Sequence, residues 1–214
     1  LHTGRTELNT EETKEKWQVC TETNPQKLKG GIKEAMKGAD VCIALSKPGP
    51  GTIKKEWVSD MADDAIVFAC ANPIPEIWPW EAKEAGARIV STGRSDFPNQ
   101  VNNSLGFPAI FRGVLDVWAT TVTDSMCVAA AESLAQSAEK KGLREDYIIP
   151  DMDDTEAFIE EAVACGMKAI KDGTARRKMT EDELRKSAEF KIKRARKLVQ
   201  LAMKEKIIEV PEEE

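Results

Sequence analysis

Residues 66–112 read IVFACANPIPEIWPWEAKEAGARIVSTGRSDFPNQVNNSLGFPAIFR, and the fold turns on how this stretch is parsed. An apolar run of strand length, 66–71, stops abruptly at Asn72-Pro73 and is followed by Pro75-Glu76. A buried parallel strand ends this way when it delivers polar side chains to a cleft at its carboxyl end. A second run, 87–91, repeats the pattern and stops at Thr92-Gly93-Arg94-Ser95-Asp96. Behind it, Asn99, Gln100, Asn102 and Asn103 place four side-chain amides within five residues, before apolar character returns at Leu105, Phe107, Ile110 and Phe111. Such a cluster is too polar for a core and too specific for filler.

Working outward, residues 39–45 form a third strand pattern, rich in β-branched side chains, whose exit is Ser46-Lys47-Pro48-Gly49. Between the strands lie short helical patterns: 28–36 closed by Gly38, 53–61 with Thr52 as N-cap, and 79–85 ended by Gly86. This alternation predicts strands at about 40–45, 66–71 and 87–91, parallel and adjacent in an α/β sheet. Asp63 and Asp64 precede a strand, on the edge away from the expected cleft, and read as a solvated turn rather than a metal pair. Glu76 reads as the cap of the next turn, and Trp78 and Trp80 as packing. Upstream, 1–8 reads as loop, Asn9 or Thr10 caps a charged helix through Trp17, and 20–24 is irregular before Pro25. From Thr123 the pattern is helical. A helix over 124–141 stops at Gly142, Asp154 opens another through Lys171, and Thr180 with Glu183 forms a capping box before a helix to about Lys206. In the last, Leu184, Ala188, Ala195, Leu198, Val199 and Ala202 trace one apolar face.

Composition narrows the class. The 214 residues suffice for one large or two small domains, and no apolar span is long enough to cross a membrane. A net charge of -6 argues against nucleic acid as the main partner. Cys20, Cys42, Cys70, Cys127 and Cys165 are scattered without a CxxC pair, which favours buried reduced thiols. The single histidine, His2, offers none of them an evident catalytic partner.

Four strings, SKPG (46–49), FACANPIPEI (68–77), TGRSDFPNQVNN (92–103) and FPAIFRGVLD (107–116), closely resemble in order and spacing the dinucleotide-binding, carboxyl-terminal half of short, prokaryotic-like malic enzymes. The resemblance implies an incomplete Rossmann-like parallel sheet with helices on both faces, followed by a helical tail. It divides the chain into a partial NAD(P)-binding domain, 1–122, and a helical region, 123–214, packing on it and on a missing amino-terminal domain. It implies oxidative decarboxylation of malate to pyruvate with NAD or NADP and a divalent metal, Mg2+ or Mn2+, in a cytoplasmic homodimer. By the same resemblance Asn72 holds malate against the nicotinamide, Asn102 and Asn103 help bind the malate carboxylate, and Ser46 with Lys47 contacts the cofactor. Each has a plainer alternative: an Asx turn at Asn72, a helix start at Asn102 and Asn103, a glycine turn at Ser46, a solvated cation at Lys47. The family's base lysine, acid tyrosine and metal carboxylates are expected upstream of Leu1, as is the residue that reads the ribose. No Gly-x-Gly-x-x-Gly turn occurs, so the chain is expected to be a fragment with no catalytic residue of its own. A free-standing dinucleotide-binding or interaction module without catalysis is the alternative reading.

Overall fold

A computed structural model describes residues 14–209, in which three parallel strands with helices around them are followed by a helical portion. The loop expected over 1–8, the cap at Asn9 or Thr10 and His2 lie outside the described residues. The chain divides into two compact units, Leu1–Pro98 and Asn99–Glu214.

The first unit contains α1 (Lys14–Glu22), α2 (Ile32–Met36), β1 (Val41–Ala44), α3 (Lys55–Ser59), β2 (Ile66–Ala69), α4 (Pro79–Glu84) and β3 (Ile89–Thr92). The strands lie in the order β1-β2-β3, all parallel, with Val41 beside Ile66 and Ile66 beside Ile89. Alternation along the strands sends Ala44, Val67, Ala69 and Val90 to one face, where Met36, Ile53, Val58 and Ala82 close a core over them. On the opposite face of β1, Ile43 and Leu45 remain 66% and 74% exposed.

Three local expectations are corrected. Helix α1 runs through Cys20 to Glu22, because nothing in KEKWQVCTE interrupts it before Asn24 takes a positive φ of 54° and Pro25 follows. Helix α2 starts at Ile32 rather than Leu28. Gly30 has φ 134°, outside helical space, and the Glu34 carboxylate accepts from Gly31 N–H at 2.7 Å to begin the turn there. Thr52 does not cap α3, whose N-cap is Lys54. The Thr52 hydroxyl donates to the Lys47 carbonyl, and Ile53 N–H donates to the Glu76 carbonyl at 3.1 Å, so both residues are held in the loop.

The second unit contains α5 (Asn103–Val117), α6 (Asp124–Lys140), α7 (Thr155–Lys171) and α8 (Glu181–Lys204). Helix therefore begins twenty residues before Thr123, at Asn103, with Pro108 inside it. Burial of Leu105, Ala109, Gly113 and Val117 against its neighbours outweighs the hydrogen bond that proline removes. Helix α7 is the core element, buried over Phe158, Ile159, Ala162, Val163, Cys165 and Ala169. Its contact with α5 is close: a β-carbon on Gly113 would collide with the Ala162 carbonyl oxygen and stand 2.9 Å from Gly166 N. The expected caps are present, Asp154 accepting from Ala157 N–H at 3.3 Å and Thr180 from Glu183 N–H at 3.2 Å. On α8, Leu184 and Ala188 are buried as expected, but Ala195, Leu198 and Val199 are exposed, because the helix runs past the side chains it packs on. Among the described residues no helix is long and apolar enough to cross a membrane.

Candidate functional site

All three strand exits of the first unit open at one edge, and a single side chain laces two of them together. Glu76 is completely buried. One carboxylate oxygen accepts from Ser46 N–H at 2.8 Å and from the Ser46 hydroxyl at 3.4 Å; the other accepts from Ala71 N–H at 3.0 Å. The expectation that Glu76 caps the following turn is thus corrected. Glu81 does that work, accepting from Trp78 N–H at 3.2 Å, while Glu76 points back across the exits of β1 and β2. The same loops meet again where Gly49 N–H donates to the Ile74 carbonyl at 3.2 Å.

Asn72 follows Ala71 directly, is exposed, and joins Pro73 through a cis peptide bond. Its carboxamide lies over Gly93 at the exit of β3, where a β-carbon would stand 3.0 Å from Nδ2 and 3.2 Å from Oδ1. A side chain there would press on the carboxamide and on the Cys70 carbonyl oxygen, 3.2 Å away. From the same exit Arg94 donates to the Pro73 carbonyl at 2.9 Å and grips Asp96 with two bonds of 2.7 and 2.6 Å, which holds the Asp96 carboxyl below the usual carboxylate range. Trp78 and Trp80 stack on one another, centroids 4.9 Å apart, with Phe97 tilted against both, so they pack as expected.

Ser46 and Lys47 are exposed at the exit of β1, ahead of Gly49 and Gly51 at positive φ. Ser46 is exposed as a residue, and both its N–H and its hydroxyl donate to Glu76, the hydroxyl over the longer distance of 3.4 Å. Cys42 and Cys70 lie beneath this edge, their thiols pushed up by burial and, second, by the Glu76 charge, so they are poor nucleophiles at neutral pH.

Asn102 and Asn103 belong to the second unit. Asn102 caps α5, its side-chain oxygen accepting from Ser104 N–H and the Ser104 hydroxyl, each at 3.0 Å, and Asn103 is exposed in the first turn. Asn99, of the same amide cluster, is buried: it accepts from Ile148 N–H at 2.9 Å and donates to the Glu145 carbonyl at 2.7 Å. That member of the cluster pins a loop. Among the described residues no group of three or more His, Cys, Asp or Glu side chains is placed to hold a metal ion. An open groove of about 500 Å³ follows α8 past Lys186, Glu189, Phe190, Lys193, Arg194 and Lys197, none of them a strand-exit residue.

Sequence reasoning put Asn72 at the exit of the second strand, where it lies, and missed the parts around it: the lacing role of Glu76, the space at Gly93 and the brace from Arg94. The available signal was an acidic residue set between Pro75 and Ile77, both of which are buried.

The chain matches the family model described as malic enzyme, NAD binding domain, over residues 32–170. It is 45% identical over 167 residues to the bifunctional malic/malolactic enzyme of Bacillus subtilis (strain 168), covering 78% of this chain and 40% of that protein. Against the NADP-dependent malic enzyme of Halomonas elongata it is 40% identical over 192 residues, covering 83% of this chain and 43% of the relative. The crystal structure of Entamoeba histolytica malic enzyme superimposes with a TM-score of 0.89 at 50% identity, over 95% of this chain and 43% of that one. That of malic enzyme from Pyrococcus horikoshii gives a TM-score of 0.81 at 46% identity, over 88% and 43%. The chain therefore spans about two fifths of the length of these relatives. With three parallel strands, an exposed asparagine at the exit of the second and this match in sequence and structure, the chain belongs to the malic enzyme family, within the part that carries its NAD-binding domain.

Proposed function

We propose that this chain is the cofactor-binding portion of an enzyme that oxidises malate with NAD or NADP and releases carbon dioxide to give pyruvate. Malate loses its hydroxyl proton and its C2 hydrogen as hydride; the carboxylate β to the new carbonyl then leaves as carbon dioxide, and the enolate takes up a proton. The bound nicotinamide supplies the hydride acceptor. Residues 1–122 form the dinucleotide-binding domain and 123–214 the helical region, the enzyme working as a cytoplasmic homodimer. Asn72 carries the reading: its carboxamide is exposed at the exit of β2 and makes no hydrogen bond among the described residues. Such a group can donate to a substrate carboxylate while accepting from the nicotinamide carboxamide, and so fix their mutual geometry. Ser46 and Lys47 offer a hydroxyl and an ammonium to the cofactor's ribose and phosphates, and Asn102 and Asn103 offer amides to malate. Among the described residues no cluster suits a metal ion, and the ligands for Mg2+ or Mn2+, the base and the acid would come from sequence that the relatives possess beyond this match.

The test is steady-state kinetics, with malate varied, on the full-length enzyme carrying this chain. Asn72→Asp keeps the size but sets a negative charge beside the substrate carboxylate. Like charges about 4 Å apart repel by roughly 4 kcal/mol at an effective dielectric of about 20, and half of that lowers kcat/KM more than tenfold. Asn72→Ala, losing hydrogen bonds worth about 1 to 3 kcal/mol, is expected to be milder. Unchanged kcat/KM in Asn72→Asp, or unfolding of both variants, would make Asn72 a structural turn residue.

A further inference from the structure

We propose that Glu76 is a positioning residue for the site, acting through Asn72: its buried carboxylate fixes the start of the β2 exit turn relative to Ser46 at the exit of β1. This rests on the reading of Asn72 and Ser46 given above. Three donors converge on the two oxygens, Ser46 N–H and hydroxyl on one and Ala71 N–H on the other. Ala71 is the residue before Asn72, so the bond to its N–H holds the Cys70–Ala71 peptide, one residue ahead of the backbone from which the Asn72 side chain projects. Ser46 is the residue offered to the cofactor, so one rigid side chain sets the spacing between a cofactor-side and a substrate-side group. The anchorage is continued through Glu76's own backbone, whose carbonyl accepts from Ile53 N–H at 3.1 Å. From the other side, Arg94 holds the Pro73 carbonyl and Gly93 supports the carboxamide from below. Two backbone bonds also tie these exits, Cys70 N–H to the Ala44 carbonyl at 2.9 Å and Gly49 N–H to the Ile74 carbonyl at 3.2 Å, and each lies one residue farther from Asn72 than the bond to Ala71.

Amide replacement discriminates sharply here. Both carboxylate oxygens accept from backbone N–H groups, and Glu76→Gln turns one of them into an NH2 that must face a donor, so one of the two loop bonds is lost whichever way the amide is turned. Glu76→Asp keeps two acceptors on a side chain one carbon shorter. The experiment is a double-mutant cycle on the full-length enzyme, measuring kcat/KM for malate and for dinucleotide in Glu76→Gln, Asn72→Ala and the double variant, with thermal melts alongside. If Glu76 acts through Asn72, each single change lowers kcat/KM by about tenfold and the double variant falls no further than about tenfold, rather than a hundredfold. Additive losses, or a neutral Glu76→Gln beside an impaired Asn72→Ala, overturn the positioning role and leave the Asn72 assignment standing. A neutral Asn72→Ala removes that assignment and this inference with it. Should Glu76→Gln fail to fold, the cycle is run with Glu76→Asp, for which the same non-additivity is expected and additivity is again fatal.

Discussion

Glu161 sits on α7 where solvent does not reach it, and neither carboxylate oxygen has a hydrogen-bond partner among the described residues. One oxygen faces Gly106 of α5, 3.5 Å from where a β-carbon would stand. Burial pushes its carboxyl up to about 8. In the unfolded chain the same group ionises near 4.5, so between these two values the unfolded state has released a proton that the native state still holds. Stability from this group is accordingly full below pH 4.5, falls as pH rises toward 8, and levels off above it. Each tenfold difference in proton affinity between the native and unfolded chains corresponds to about 1.4 kcal/mol, which makes the loss several kcal/mol. Carboxylates held low by their partners, such as Glu160 beside Arg185, act at the acid end and leave this window clear. The neighbouring Cys165 thiol, pushed up to about 12 chiefly by burial, stays protonated throughout. Melting temperatures of the wild-type chain are expected to fall from pH 5 to pH 8 by roughly 5 to 15 °C more than those of Glu161→Gln, which cannot titrate. Parallel profiles for the two proteins would place the titrating group elsewhere. Nothing in the local sequence marks Glu161, since EAFIEEAV carries three glutamates and only packing decides which one turns inward. Glu76 escaped for a related reason: its partner Ser46 lies thirty residues away, and spacing within one turn does not encode a bond between two loops.

Among the elements, the crossing of α5 and α7 is the tightest. Gly113 meets the Ala162 carbonyl and Gly166 directly, and a β-carbon on Gly166 would stand 2.6 Å from Leu184 of α8. Gly113→Ala therefore sets two effects against each other. Alanine favours an isolated helix by about 1 kcal/mol, whereas forcing a methyl group between two helix backbones costs roughly 1 to 3 kcal/mol or more. The contact here is with backbone, which cannot swing aside, so the steric effect wins and the denaturation midpoint is expected to fall. A raised or unchanged midpoint in urea would show that the helices separate without cost. The boundaries of α6, α7 and the start of α8 were legible because Thr123, Asp154 and Thr180 are short polar side chains at a hydrophobic onset, where capping is local chemistry. The start of α5 was legible only as the plainer alternative at Asn102 and Asn103, because Pro108 signals a break that only tertiary burial overrides, and the exposed end of α8 was misread because helical periodicity continues where packing stops.

For the molecule as a whole, the strand–helix alternation carried the parallel sheet, since apolar runs separated by short capped segments leave few other arrangements. The division of labour with the rest of a malic enzyme leads to one more expectation. The chain's only tyrosine, Tyr147, is buried in the second unit, and no acid, base and metal set gathers at the strand exits among the described residues. Positioned acid–base groups alone are worth about 10² to 10⁴ in rate. The purified 214-residue chain is expected not to reduce NAD or NADP with malate, with or without divalent metal. Measurable metal-dependent turnover by it would relocate the chemistry into this chain.

The order β1-β2-β3 follows the order of the chain, so each parallel pair is joined by a single crossover. No described strand has to wait for a distant one, and because β2 alone touches both neighbours the sheet is expected to grow outward from it. Closing these connections one at a time costs modestly less entropy at the barrier than closing one loop of their combined length, about 0.6 kcal/mol for each doubling, and the local order of pairing favours rapid assembly for a parallel sheet. Time would then separate the centre of this sheet from its β3 side: truncating Val67 on β2 should slow folding, while truncating Val90 on β3 should chiefly hasten unfolding, a contrast that the arms of a stopped-flow chevron resolve and that equal slowing by both would refute.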